Sequence, residues 1–335
     1  MLPPTPRPAT SGAHERSRDG ATPRPSDLGD CGDRRRIILA APLVSTFTIE
    51  WVTFAAPAAA CLVLAAAGFF YARVRPDPRL ASGCLSTAQV IAFAAVAAPL
   101  SYLGAAADLP LNDRAYDAID RALGLDWKAM LDVMNAWPLL FDALRPIYLS
   151  LTLQMTTAVL CLAFTGRFVW LWVYTLAFIF AALITIATSA VLPAAGVWPF
   201  YGLTAVDSPH VLPTVSTSWP AFYGLRDGNV RALVAAGAEG IITFPSLHAA
   251  LAVILVAALW PVARVRWVIF GLNALMLAAT PIDGSHYFID VLAGIAVAGA
   301  ALGAARIAAA VSARSERAAA RLRAGKILHL AGGPQ

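Results

Sequence analysis

The sequence predicts an all-α protein, a polytopic bundle of transmembrane helices, and three observations predict it. Apolar residues make up 59% of the 335-residue chain and charged residues only 13%, against about 45–50% and about 25% in soluble domains. The mean hydropathy is +0.67. The apolar residues are gathered into long uncharged runs, and a span needs about 20 such residues because its backbone polar groups must be satisfied within its own helix. The length alone would allow two soluble domains, but those runs do not suit them. The alternating segments of a membrane barrel are absent.

The net charge of +5 does not imply nucleic acid, since an arginine excess in such a chain records orientation. The four cysteines, Cys31, Cys61, Cys84 and Cys161, are far apart and show no metal-ligand spacing. Neither a metal nor a cofactor is expected.

Residues 1–33 are rich in Pro, Arg, Ser, Gly and Asp and read as a disordered cytoplasmic segment. Arg34-Arg-Arg36 then leads into an apolar run that continues to Tyr71, too long for a cleaved signal. With Glu50 near its middle, this 34–84 region is expected to be a transmembrane hairpin. Further spans are expected at 85–106, 143–163, 168–190, 245–261, 266–282 and 287–310, within a domain covering 85–310; a basic tail, 311–335, follows.

Eight spans would place Arg34–Arg36, Arg73/Arg75/Arg79, Arg167, Arg264/Arg266 and the Arg314–Lys326 stretch on one side. The positive-inside rule makes that side cytoplasmic, with both termini there, in an inner or plasma membrane. Two longer segments fall on the other side. Residues 107–142 read as short amphipathic helices at the interface. Residues 193–243, rich in Pro, Gly and aromatics, form a loop of a length that is usually functional.

Of five histidines, His14 falls in the N-terminal segment, His329 in the basic tail, and His210 has no recognisable partners. His248 and His286 are predicted at membrane ends on the same face. Pro245-Ser-Leu-His248 opens an apolar run, with Pro245 suited to the first helical turn. Ser246 and the free amides there either cap the helix or hold an anion. His286-Tyr-Phe-Ile-Asp290 places an imidazole and a carboxylate at i and i+4, neighbours on one helical face. An aspartate just inside a span is costly unless paired. Bonded to Asp290 through one ring nitrogen, His286 would have the other free to attack; alternatively the pair only stabilises a helix end.

Together, Phe244-Pro-Ser-Leu-His248 and His286-Tyr-Phe-Ile-Asp290, followed by Val291-Leu-Ala-Gly294, resemble the type-2 phosphatidic acid phosphatase (PAP2) superfamily. The resemblance covers roughly 85–310 and implies a six-helix core, to which the N-terminal hairpin is an addition. It implies phosphoryl transfer on a lipid phosphate or phospholipid substrate through a phosphohistidine on His286, with Asp290 orienting it and His248 as acid and base. The site would face away from the cytoplasm.

Three departures stand out. The family's Lys-plus-Arg-Pro motif has no counterpart between Thr185 and Thr243; Arg145-Pro146 lies too early and lacks the lysine. The Ser-Arg pair before the last histidine is Ala279-Thr280, and Leu247 replaces a common glycine. These changes resemble the inositolphosphotransferase (inositol phosphorylceramide synthase-like) branch. A transferring phosphoryl group needs its charge neutralised, so a cation is expected from elsewhere: Arg226 first, with Arg231, Arg145 and Lys128 behind it. Ser246 and Arg226 are thus the expected phosphate-binding residues. A transporter, or a non-catalytic membrane protein reusing the fold, is the alternative.

Overall fold

In the computed structural model the described residues are 46–331, except 205, 209 and 236–239, with side chains described as far as 315. The predicted 1–33 segment, Arg34–Arg36, the first arm of the hairpin up to residue 45 and the side chains of the basic tail beyond 315 lie outside the described residues.

The chain is almost wholly helical. It comprises α1 (Trp51–Arg73), α2 (Pro78–Ala106), α3 (Asp113–Ala122), α4 (Trp127–Ala136), α5 (Pro138–Leu149), α6 (Leu151–Phe164) and α7 (Phe168–Val191). After these come the short α8 (Val197–Phe200), α9 (Trp219–Asp227), α10 (Leu247–Leu259), α11 (Arg266–Asp283) and α12 (Phe288–Ala331). Two two-residue strands, β1 (Thr48–Ile49) and β2 (Ala232–Leu233), pair in parallel. Among the described residues four helices are long and apolar enough to cross a membrane: α1, α2, α7 and α12 over Phe288–Ser315. The pair α5–α6, bent by 44°, counts as a fifth span if taken as one.

Local chemistry sets the ends. Asp77 caps α2, its carboxylate accepting the amides of Arg79 and Leu80 at 2.9 and 3.2 Å, and Pro78 takes the first helical position. The helix therefore begins seven residues before the expected span. The run expected at 143–163 is broken at Ser150. Pro146 removes one backbone donor from α5, and the Ser150 hydroxyl donates to the Ile147 carbonyl at 2.6 Å. Gln154 returns to that hydroxyl at 2.9 Å and accepts from Asn273 of α11 at 2.8 Å, so the bend is fastened to its neighbour.

At the amino end, Glu50 immediately precedes α1, the second arm of the expected hairpin. Its amide donates to Leu233, and that of Thr48 to Arg231, which ties the start of α1 to the 193–243 segment. At the other end α12 runs unbroken past residue 311 to Ala331.

The interior of the span region is built from small residues. Ala158, Ala177, Ala181, Ala250, Ala252, Ala298, Ala301 and Ala305 are all fully or almost fully buried, with Leu162, Leu255 and Ile254 among them. Small side chains let helix axes approach closely. Beyond this alanine-rich layer lies an aromatic one: Tyr116, Trp127, Phe141, Tyr148, Trp198 and Tyr287 are buried together. It joins α3–α5 and the 193–243 segment to the turn between α11 and α12. The expected amphipathic helices over 107–142 are thus α3, α4 and the start of α5.

Candidate active site

The site forms where the amino ends of α10 and α12 meet. Ser246 is the cap of α10 rather than a residue of its first turn, with the extended backbone a cap requires. Pro245 therefore lies outside the helix, not at its first position as expected, and the Phe244–Pro245 peptide is cis. The Ser246 hydroxyl accepts the Ala249 amide at 3.3 Å. Gly294 makes the meeting possible, because a Cβ there would collide with the Ser246 carbonyl and stand 2.9 Å from the Ala249 side chain.

His286 and Asp290 pair as expected, with Nδ1 to Oδ2 at 3.1 Å, but not across one helical face. Helix α12 starts only at Phe288, so His286 sits in the preceding turn. Asp290 is the third residue of α12, and its Oδ2 reaches back to accept the Tyr287 amide at 2.9 Å. This is the returning half of a capping box, with the imidazole added as a second donor to the same oxygen. Asp290 is fully buried and His286 is 3% exposed.

With Nδ1–H given to Asp290, the other ring nitrogen is the unprotonated one. That Nε2 lies 3.3 Å from the Ser246 hydroxyl. Burial lowers the His286 imidazole from 6.5 to about 4, with the Thr243 backbone opposing part of the shift. The ring is therefore neutral at pH 7 and its lone pair is available.

His248, one residue into α10, shares this end. Its ring stacks on Tyr148 of α5 at 4.2 Å between centroids. Both histidines line one cavity of about 290 Å³. Besides Tyr148 and Ser101, its other walls are mostly apolar, among them Phe93, Ala94, Ala97 and Ala98 of α2 and Phe178 and Ala182 of α7.

Several positioning groups were not anticipated from sequence. Tyr148 is one. Asp113 and Asp120 of α3 are buried and bonded to the two segments that carry the site. Asp113 accepts the Ala195 and Gly196 amides at 3.0 and 2.9 Å and the Tyr287 hydroxyl at 3.0 Å. Asp120 accepts the Phe288 and Ile289 amides at 2.7 and 2.8 Å. Burial raises the Asp120 carboxyl, and those two amides offset part of the rise. The seven-residue spacing, two helical turns, was the available signal that both face one way.

The expected cations are placed elsewhere. Arg226 on α9 does not join the histidines. It pairs with Asp108 at 2.8 Å and donates to the Leu109 carbonyl at 2.9 Å, and it does not line the cavity. Arg231 donates to the Leu225 carbonyl at 2.6 Å, Lys128 lies over the Tyr201 ring and Arg145 lies over the Phe141 ring. At the position of the family's Ser-Arg pair, Ala279 and Thr280 are buried, and the Thr280 hydroxyl donates to Met276. Among the described residues no group of three or more His, Cys, Asp or Glu side chains is placed to hold a metal ion.

Two histidines, one oriented by a buried carboxylate, beside a hydroxyl and a helix amino end can form and break a bond to an anionic centre. A family model described as the PAP2 superfamily matches residues 116–304, a stretch that contains Tyr148, Ser246, His248, His286 and Asp290. No curated protein and no solved structure matches the chain.

Proposed function

Because the chain belongs to the PAP2 superfamily, we propose that it is a membrane enzyme transferring phosphoryl groups from lipid phosphates or phospholipids through a phosphohistidine on His286. The contact of His286 Nδ1 with Asp290 at 3.1 Å, which orients the imidazole with Nε2 toward Ser246, carries this reading.

In the first step Nε2 attacks phosphorus in line, the P–O bond to the lipid breaks, and His248, protonated once the anionic phosphate lies beside it, gives that proton to the departing alkoxide and is left neutral. In the second, His248 takes the proton of an acceptor hydroxyl or water. The new P–O bond forms as the P–N bond breaks. Ser246, freed from Nε2 as phosphorus arrives, can donate to a phosphoryl oxygen, and the amides of the first turn of α10 add their partial positive charge. Arg226 remains in this proposal as a phosphate ligand only if substrate draws it away from Asp108.

The apolar cavity between α2 and α7 supports a lipid substrate, since it brings hydrocarbon walls to the histidines. Leu247 and Ala279-Thr280, departures from the superfamily's common pattern, favour the inositolphosphotransferase-like branch. Transfer of a phosphoryl headgroup to a hydroxyl acceptor is therefore preferred over hydrolysis. Arg264 and Arg266 follow the carboxyl end of α10, whose amino end carries the site, which favours a site facing away from the cytoplasm.

The test uses the purified protein in lipid nanodiscs with a ³²P-labelled simple lipid phosphate or headgroup-labelled phosphatidyl lipid, with and without polyol acceptors. A labelled new lipid marks transfer and free phosphate marks hydrolysis. An acid-labile, alkali-stable label on the protein is expected, and His286→Ala should abolish it. Turnover that survives His286→Ala would exclude the phosphohistidine. No turnover of any lipid would leave the non-catalytic or transporter reading.

A further inference from the structure

We propose that the interfacial helix α3 is the positioning element of the nucleophile, acting through Asp120 on the first turn of α12 and through Asp113 on Tyr287. The inference rests on the phosphohistidine reading above and adds residues to which that reading assigns nothing.

The first amides of a helix have no partner within it. In α12 those amides carry the site, because His286 and Tyr287 precede them and Asp290 follows. Phe288 and Ile289 donate one to each oxygen of Asp120, at 2.7 and 2.8 Å. Tyr287 donates its amide to Asp290 and its hydroxyl to Asp113. Three consecutive residues are thus fixed by three carboxylates, two of them from another helix. Asp290 itself has one oxygen without a partner, so its side chain is held only by the Tyr287 amide and His286. Its aim at the imidazole depends on the backbone beneath it.

Asp113 extends the bracket to the opposite wall. It accepts the Ala195 and Gly196 amides. The next two residues, Val197 and Trp198, donate to the Ser285 carbonyl and hydroxyl at 3.0 and 2.9 Å. Gly196 takes a φ of 103° with no room for a Cβ against the Ser285 carbonyl. The turn before His286 is thereby held from both sides, while neither Asp113 nor Asp120 lines the cavity. Their role is to set the attack geometry rather than to bind substrate. A displacement of about 1 Å in a reacting group is enough to cost orders of magnitude in rate.

The experiment compares Asp120→Ala, Asp120→Asn and Tyr287→Phe with wild type in nanodiscs, by steady-state kinetics and by the single-turnover rate of protein labelling from a ³²P-labelled lipid phosphate. The expected loss is in kcat and labelling rate, at least about tenfold for Asp120→Ala, with KM within about twofold. Asp120→Asn, which keeps one acceptor oxygen, should fall between Asp120→Ala and wild type. Tyr287→Phe, which removes a single hydroxyl, should also lower kcat more than KM. Should Asp120→Ala not fold, the other two variants carry the test. Unchanged kcat in Asp120→Asn and Tyr287→Phe, or a change confined to KM, would overturn the proposal. His286→Ala run alongside separates the outcomes: if it remains active, the phosphohistidine reading fails, and if it alone is inactive, only the positioning role does.

Discussion

Tyr148 and His248 lie ring against ring, with centroids 4.2 Å apart and planes within 10°, and the tyrosine hydroxyl stands 3.5 Å from Nδ1 of the imidazole. A proton donor to a leaving group must hold one orientation through the reaction, and a stacked ring is one means of fixing it. With Nδ1 beside Tyr148, Nε2 is the nitrogen left for the proton transfer. Tyr148→Phe keeps the stack and loses only the long hydroxyl contact, so kcat should fall by less than about tenfold. Tyr148→Leu loses both and should fall by about 10²-fold. Equal, wild-type kinetics in the two variants would show that the stack does not hold His248 in place.

Gly294 is where α12 approaches the cap of α10. An added methyl there meets the Ser246 carbonyl and the Ala249 side chain, and overpacking of this kind costs about 1–3 kcal/mol. Because the strained contact is with Ser246 itself, Gly294→Ala should lower the melting temperature and kcat together. Gly303, on the same helix, has nothing within 4 Å of an added Cβ, so Gly303→Ala is the control and should change neither. Thermal unfolding and steady-state rates of the two variants measure this directly.

What could be read from sequence divides along a physical line. The span at 168–190 is legible because none of the 24 residues of α7 is charged and only three threonines and a serine break its apolar run. The His286–Asp290 pair was legible because both partners are close in sequence. Their geometry was not: i, i+4 spacing suggested a shared helical face, whereas the pair meets through a capping turn. Asp113 and Asp120 had a spacing signal but no visible partner, since they bond to residues more than eighty positions away. Arg226 lies close to Pro245 in the chain, but that proximity takes no account of Asp108, 2.8 Å from its guanidinium. The break at Ser150 was hidden inside a run whose hydropathy alone is continuous.

The acid limb of the activity profile follows from His286. Burial lowers its imidazole to about 4, and protonation removes the attacking lone pair, so activity is lost as pH falls through that value and not near 6.5. Stability follows the same sign. Between about pH 6.5 and 4 the unfolded histidine binds a proton that the folded one does not. This group's contribution is therefore complete above 6.5 and diminishes as pH falls through that window. Rates of protein labelling between pH 4 and 8, with unfolding followed in parallel, distinguish loss of the nucleophile from loss of the fold. An acid limb centred near 6.5 with a phosphodiester donor, which does not itself titrate there, would mean that burial does not hold His286 neutral.

The walls of the cavity make the lipid reading testable at a residue remote from the chemistry. Ala94, Ala97 and Ala98 on α2 and Ala182 on α7 line the space that reaches both histidines, and its volume of about 290 Å³ exists because those side chains are methyl groups. Ala97→Phe would fill much of it with a ring while leaving Ser246, His248, His286 and Asp290 untouched. If an acyl or isoprenoid chain occupies this space during turnover, kcat/KM for a long-chain lipid phosphate should fall at least about tenfold. A short-chain, water-soluble phosphate ester, which needs only the histidine end, should be turned over within about twofold of the wild-type rate. An equal loss on both substrates would mean that the ring disturbs the site itself, and no loss on either would mean that the chain lies elsewhere.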